Sequence, residues 1–301
     1  MLVPNQKISL PLLKKKKVEL YIKREDLIHP QISGNKYRKL KYNLLKAKEL
    51  KYDTLLTFGG AYSNHIAATA YAGKMNGMKT LGVIRGEELA GSWMSNPTLS
   101  AAHKLGMKFK FVPRSDYRKK EIAGFLESLE AEFENFYMLP EGGTNKLAVM
   151  GCEEILTPED SEFDVICCSV GTGGTLAGII NSTAPNQRVI GFPALKGDFL
   201  KKDICKFVKN GNWELCTDYH FGGYARVNES LVSFINEMNK NIGIALDPVY
   251  TGKMIYGILD MIANDYFKPQ TKILAIHTGG LQGIAGMNLY LKSKNLPIID
   301  I

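Results

Sequence analysis

"FDVICCSVGTGGTLAGII", residues 163–180, passes from an apolar run through a cluster of glycines to a second apolar run. A short apolar run closed by glycine reads as a strand buried on both faces, with Val165, Ile166, Cys167 and Cys168 at its end, and "TLAGII" reads as the opening of a helix. Between them Gly171, Gly173 and Gly174 leave backbone N–H groups unobstructed, while Thr172 and Thr175 add hydroxyls. Orphan amides and the dipole of the following helix both favour an anion at such a turn. No Gly-Lys-Ser/Thr follows, so this is not a P-loop. Nor does it carry the G-x-G-x-x-G spacing with an acidic residue about twenty positions on that a dinucleotide needs. A tight turn without a ligand is the plain alternative, and a compact phosphate ester is the better match.

The same grammar repeats on either side. "DTLLTFGG" (53–60), "KTLGVIRG" (79–86) and "MKFKFVPR" (107–114) read as strands, followed by "RVIGFPA" (188–194) and "TKILAIHTGG" (271–280). Helical patterns separate them, among them "NPTLSAAHKLG" (96–106), with Asn96 as cap and Pro97 in first position, and "YRKKEIAGFLESLEAEF" (117–133). Strands that are apolar on both faces and alternate with helices imply an α/β fold of two open, mostly parallel twisted sheets with helices on both faces. The strands fall into two groups, roughly 53–114 and 163–280, which implies two domains facing a cleft, with a boundary near "PEGGTNKLAV" (140–149).

Composition narrows the function. The 301 residues are 45% hydrophobic and 23% charged, as expected of a soluble globular protein able to bury a large core. The formal net charge of +8 is spread along the chain except for "KKKK" at 14–17, read as a solvated turn between two short apolar segments. Without an aromatic platform or a reading module, nucleic acid is not the expected partner. The N-terminus lacks the pattern of a signal peptide, and no apolar stretch is long enough to span a bilayer. Five cysteines without a CxxC argue against a disulfide framework or a zinc site and suit reduced thiols in the cytoplasm, so no metal is expected.

Two more turns at strand ends are polar or rich in glycine: "GGAYSNHIAA" (59–68), where Ser63 or Asn64 can cap a helix, and "HTGGLQG" (277–283). Ligands collect at the carboxyl ends of parallel strands, so three such turns point to one crevice. "SGNKYRKLK" (33–41) adds a basic helix, capped by Ser33 or Asn35, with an apolar stripe of Leu40, Leu44 and Leu45. Lys36 and Lys39 are three apart and share a face; Arg38 and Lys41 read as solvated charge. A phosphate site and a lysine able to form an imine together suggest pyridoxal phosphate.

In order along the chain, "SGNKYRKLKYNLL", "GGAYSNHIAATA", "SVGTGGTLAG", "LDPVYTGKMIYGILD" and "HTGG" resemble the motifs of the 1-aminocyclopropane-1-carboxylate deaminase / D-cysteine desulfhydrase family, from about residue 20 to 280. That family belongs to the tryptophan-synthase-β-like, fold-type II pyridoxal-phosphate enzymes, which hold the cofactor in the cleft between two sheets. The resemblance implies a large cofactor-binding domain of residues 1–41 plus 146–301, a small domain of residues 42–145, a small amino-acid substrate and a homodimer. Residue by residue, it makes Lys36 the lysine that carries the cofactor, with Asn35, Lys39 and the loop Gly171, Thr172, Gly173, Gly174 and Thr175 around the phosphate. Ser63 falls near the substrate Cα, Asn64 by the 3′-oxygen of the ring, and His65 at a substrate-side position. Tyr250 and Tyr224 match an active-site tyrosine pair.

Thr251 stands where the deaminases read "VYEGK", with a glutamate facing the ring nitrogen. A carboxylate there keeps the nitrogen protonated and the ring a strong electron sink. A threonine can only hydrogen-bond, which suits loss of a good β leaving group better than opening of a cyclopropane. The expected activity is therefore D-cysteine desulfhydration to pyruvate, ammonia and hydrogen sulfide, with deamination of 1-aminocyclopropane-1-carboxylate to 2-oxobutanoate as the alternative. The continuation "LQG" after "HTGG" departs from the family's usual proline-alanine-leucine.

Overall fold

The computed structural model describes residues 3–120, 122–197, 199–209 and 211–301. Ten strands, β1 (Asn5–Ile8), β2 (Glu19–Lys23), β3 (Thr54–Gly59), β4 (Lys79–Arg85), β5 (Met107–Val112), β6 (Phe136–Leu139), β7 (Val165–Val170), β8 (Arg188–Pro193), β9 (Trp213–Leu215) and β10 (Lys272–Ile276), form two sheets among the described residues. The larger runs β1-β2-β10-β7-β8-β9 and is parallel except for β1, which pairs antiparallel with β2. The smaller runs β5-β4-β3-β6 and is parallel throughout.

β7 is central in the large sheet and buried at every position. Successive side chains of a strand point to opposite faces. Val165 and Cys167 accordingly join a core with Leu20, Ile22, Ile190 and Ile258, while Ile166, Cys168 and Val170 join a second core with Leu176, Ile179 and Leu274. Each fully buried Leu or Ile contributes about 1.5–3 kcal/mol relative to exposure, which is why these unbroken apolar runs mark central strands. The small sheet has its own packing, with Leu56, Phe58, Leu81 and Val83 on one side and Ile66, Ile84 and Met107 on the other.

Several local expectations change. The "KKKK" run is the last turn of the helix Pro11–Lys16 and its left-handed cap at Lys17, because Pro11 starts a helix and Leu13 anchors it in the core. The helix expected over 117–133 divides into Arg114–Tyr117 and Ala123–Glu132, and Glu121 lies outside the described residues. Strands β1, β2, β6 and β9, short and weakly patterned, were not read as strands from sequence. Asn96 caps its helix as expected, accepting from the Leu99 N–H at 3.0 Å, with Pro97 in first position. Among the described residues no helix is long and apolar enough to cross a membrane.

Candidate active site

The turns after β3, β7 and β10 meet at the carboxyl ends of parallel strands and enclose a cavity of about 260 Å³. The helix Asn35–Glu49 delivers two lysines into it. Neither Ser33 nor Asn35 caps this helix; the cap position is Gly34, at φ +63°. A Cβ there would stand 2.0 Å from the Thr278 carbonyl oxygen, so the helix start is pressed against the turn after β10 in a way only glycine permits. Ser33 instead donates to the Asp26 carbonyl, and the Asn35 N–H donates to the Thr278 carbonyl.

Asn35 Nδ2 donates to Thr175 Oγ1 at 2.9 Å, and Asn35 Oδ1 accepts from Lys36 Nζ at 3.2 Å. One amide thereby ties the Lys36 ammonium to the glycine-rich loop. Burial is the main reason that the Lys36 amine drops to about 7, and the nearby Lys39 charge adds to it. At neutral pH a large share of Lys36 is an unprotonated amine, the form that can act as nucleophile or base.

Lys39 is 2% exposed and spans the other side of the loop, donating to the Gly142 carbonyl at 3.0 Å, Thr144 Oγ1 at 2.9 Å and Thr172 Oγ1 at 3.4 Å. Its own pKa is lowered by burial. Thr144 and Thr172 hydroxyls lie 2.6 Å apart. Gly173, at φ +83°, stands at the cap position of the helix Gly174–Ser182, whose first N–H groups have no partners within the helix. Amides, hydroxyls and one ammonium converge on this turn, a donor set that could hold a phosphate.

Across the cavity, Tyr250 begins the helix Thr251–Ala263. Burial pushes its phenol well above the usual range, so it stays protonated. Tyr224 packs against it edge to face, with ring centroids 6.2 Å apart, and is 45% exposed. Thr251 is fully buried; it donates to Asp247 Oδ2 at 2.7 Å and accepts from the Asp247 N–H at 2.9 Å. The Asp247 carboxylate also caps the helix, accepting from the N–H groups of Val249, Tyr250 and Thr251.

Asn35, Lys36, Lys39, Asn64, Gly171, Thr172, Gly173, Thr175 and Tyr250 all line the cavity, whereas Ser63, His65, Gly174, Tyr224 and Thr251 stand outside its lining. Ser63 caps the helix Asn64–Met75, accepting from the N–H groups of His65 and Ile66. His65 is 1% exposed and packs beside Gly143, with both ring nitrogens lacking a hydrogen-bond partner among the described residues; burial, with the Lys36 and Lys39 charges, holds it neutral. Arg38 is not solvated: it is 4% exposed and pairs with buried Glu25 at 2.8 Å. Leu45, expected in the apolar stripe, is 58% exposed, because the helix packs through Leu40 and Ala47. Ser169, Thr278, Gly279, Gly280 and Gln282 line the cavity and were not singled out from sequence, although "HTGGLQG" was recognised as a turn at a strand end.

An amine poised near neutrality next to a phosphate cradle is the donor set that pyridoxal phosphate requires, and the residues present fit that group. A family model described as pyridoxal-phosphate dependent enzyme matches residues 3–279. The bifunctional D-cysteine desulfhydrase/1-aminocyclopropane-1-carboxylate deaminase of Arabidopsis thaliana is 32% identical over 88% of this chain and 73% of its own length. A D-cysteine desulfhydrase of Klebsiella pneumoniae is 27% identical over 91% of this chain and 90% of its own. A crystal structure described as that of an ACC deaminase homologue superposes with a TM-score of 0.83 at 30% identity, covering 97% of this chain and 94% of that one.

Proposed function

The chain belongs to the pyridoxal-phosphate dependent enzyme family, and from that premise we propose a lyase that eliminates the β-substituent of a small amino acid, D-cysteine first among them. The observation that carries this is the Lys36 amine, brought to about 7 by burial and the Lys39 charge, beside the turn 171–175. Lys36 would hold the cofactor, with the turn 171–175, Lys39 and Asn35 around its phosphate. When bound, the cofactor supplies an electron-withdrawing ring that stabilises negative charge at the substrate Cα. Lys36 Nζ, as an unprotonated amine, would take the Cα proton. Tyr250, held protonated by burial, offers its O–H to the substrate, and Tyr224 supports it from the cavity rim. Asn64 would form the substrate side, with Ser63, through the helix it caps, and the buried His65 supporting it from behind the cavity wall.

Thr251 carries the choice of leaving group. It brings no charge of its own, and its hydroxyl hydrogen is already given to Asp247. Loss of thiolate needs less charge delocalisation than opening of a cyclopropane, so D-cysteine is the preferred substrate. Deamination of 1-aminocyclopropane-1-carboxylate is the second reading, favoured by the bifunctional name of the Arabidopsis relative. Protein loaded with pyridoxal phosphate is expected to release sulfide and pyruvate from D-cysteine; release of 2-oxobutanoate from the cyclopropane acid without sulfide would reverse the order. We further assign residues 42–145 to a small domain and 1–41 with 146–301 to a large one. The separate packing of the two sheets supports this division, with the helix Asn35–Glu49 crossing from one to the other. A cytoplasmic homodimer completes the proposal.

A further inference from the structure

Asn64 opens its helix with its side chain in the cavity wall. Its Oδ1 accepts from Gln282 Nε2 at 2.5 Å, and Gln282 Oε1 accepts from the Thr98 hydroxyl at 3.1 Å. Thr98 is 2% exposed in the helix Pro97–Lys104, whereas Gln282 stands just ahead of the helix Gly283–Ser293. A side-chain amide has one accepting end and one donating end. The series Thr98, Gln282, Asn64 therefore runs in one direction and finishes at Asn64 Nδ2. That nitrogen has no hydrogen-bond partner among the described residues. It lies over Gly280, where a Cβ would be 2.7 Å away and where φ is +94°, so glycine leaves the space it occupies.

We propose that Gln282 is a positioning residue: by engaging Asn64 Oδ1 it turns the Asn64 amide so that its N–H groups face the cavity. This wall then recognises an anionic oxygen, either the ring oxygen of the cofactor or a carboxylate oxygen of the amino acid. The inference rests on the reading of the cavity as a pyridoxal-phosphate site. Gln282 belongs to the "LQG" continuation, so it is a feature of this chain's own sequence.

Two variants of the full chain separate orientation from mere packing. Gln282→Glu can still accept from Thr98, but its carboxylate has no hydrogen for Asn64 at pH 8, so Asn64 must turn Nδ2 toward it and Oδ1 toward the cavity. Gln282→Met removes the contact without a charge and leaves Asn64 free to turn toward a ligand. The dissociation constant of pyridoxal phosphate, titrated by absorbance on cofactor-free protein, is expected to rise about ten- to a hundredfold in Gln282→Glu and about threefold or less in Gln282→Met. Relative to the methionine variant at the same pH, the glutamate variant recovers as pH falls through about 4, where its carboxyl regains a proton. If the oxygen is the substrate's, cofactor affinity stays level and the same order appears in KM. Equal behaviour of the two variants in both measurements overturns the proposal. A wild-type protein that takes up no pyridoxal phosphate overturns the cofactor reading instead. The positioning role is then read from the side-chain amide 15N–1H resonances of Asn64 in the cofactor-free protein, and it falls if Gln282→Glu leaves them unmoved.

Discussion

Lys39 stands one helical turn beyond Lys36, its ammonium held by the Gly142 carbonyl and Thr144 Oγ1, and its charge adds to burial in bringing the Lys36 amine down to about 7. Protonated Lys36 is unreactive, so modification of this amine in the cofactor-free protein should accelerate as pH rises through about 7. Lys39→Met removes one of the two causes, and the midpoint of that profile should move up by about half a unit to one unit. An unchanged midpoint would mean that the two ammonium groups do not sense each other.

Lys253 is 2% exposed and donates to the carbonyls of His220 at 2.8 Å and Gly223 at 2.9 Å, holding the loop that presents Tyr224. Burial lowers its pKa to about 8. Lys253→Met leaves two carbonyls without their donor and should lower stability by about 1.5–3 kcal/mol. Denaturant unfolding measures this loss, and turnover should fall with it because Tyr224 loses its support against Tyr250.

Gly34→Ala should be among the most damaging single changes. The new Cβ would collide with the Thr278 carbonyl in a backbone region that favours glycine. The expected cost is about 3 kcal/mol or more, read as a lower melting temperature, together with weaker cofactor uptake because the helix bearing Lys36 must move. By contrast, Lys41→Ala breaks a solvent-accessible pair with Glu154 and should change stability by less than about 1 kcal/mol.

Thr251→Glu replaces a hydroxyl that donates to Asp247 with a carboxylate beside another carboxylate. The folded state should lose about 3 kcal/mol or more. In the surviving protein, the ratio of 2-oxobutanoate made from the cyclopropane acid to sulfide made from D-cysteine should rise. A ratio that stays constant or falls removes Thr251 from the account of leaving-group choice.

Legibility followed burial. β7, β3, β4 and β10 were readable because an unbroken apolar run has one stable placement, inside a covered sheet. β1, β2 and β9 are short and take their place from pairing with a neighbouring strand, in the case of β2 the far-off β10, which a local pattern does not encode. Motif and chemistry single out Lys36, Lys39 and the turn 171–175 together, and all of these but Gly174 line one cavity. Arg38 could not, since its partner Glu25 lies thirteen residues away across a bend, and a lone arginine in a basic run looks like surface. Gln282 was missed because its significance arises from Thr98 and Asn64, residues that only the folded chain brings to it.

Borohydride reduction of the protein after incubation with pyridoxal phosphate, followed by peptide mass analysis, tests the role of Lys36 most directly. The expected result is a single pyridoxyl mass increment on the peptide containing Lys36, absent from Lys36→Ala and present in Lys41→Ala. An increment on another lysine, or none on a protein that remains folded, would contradict it.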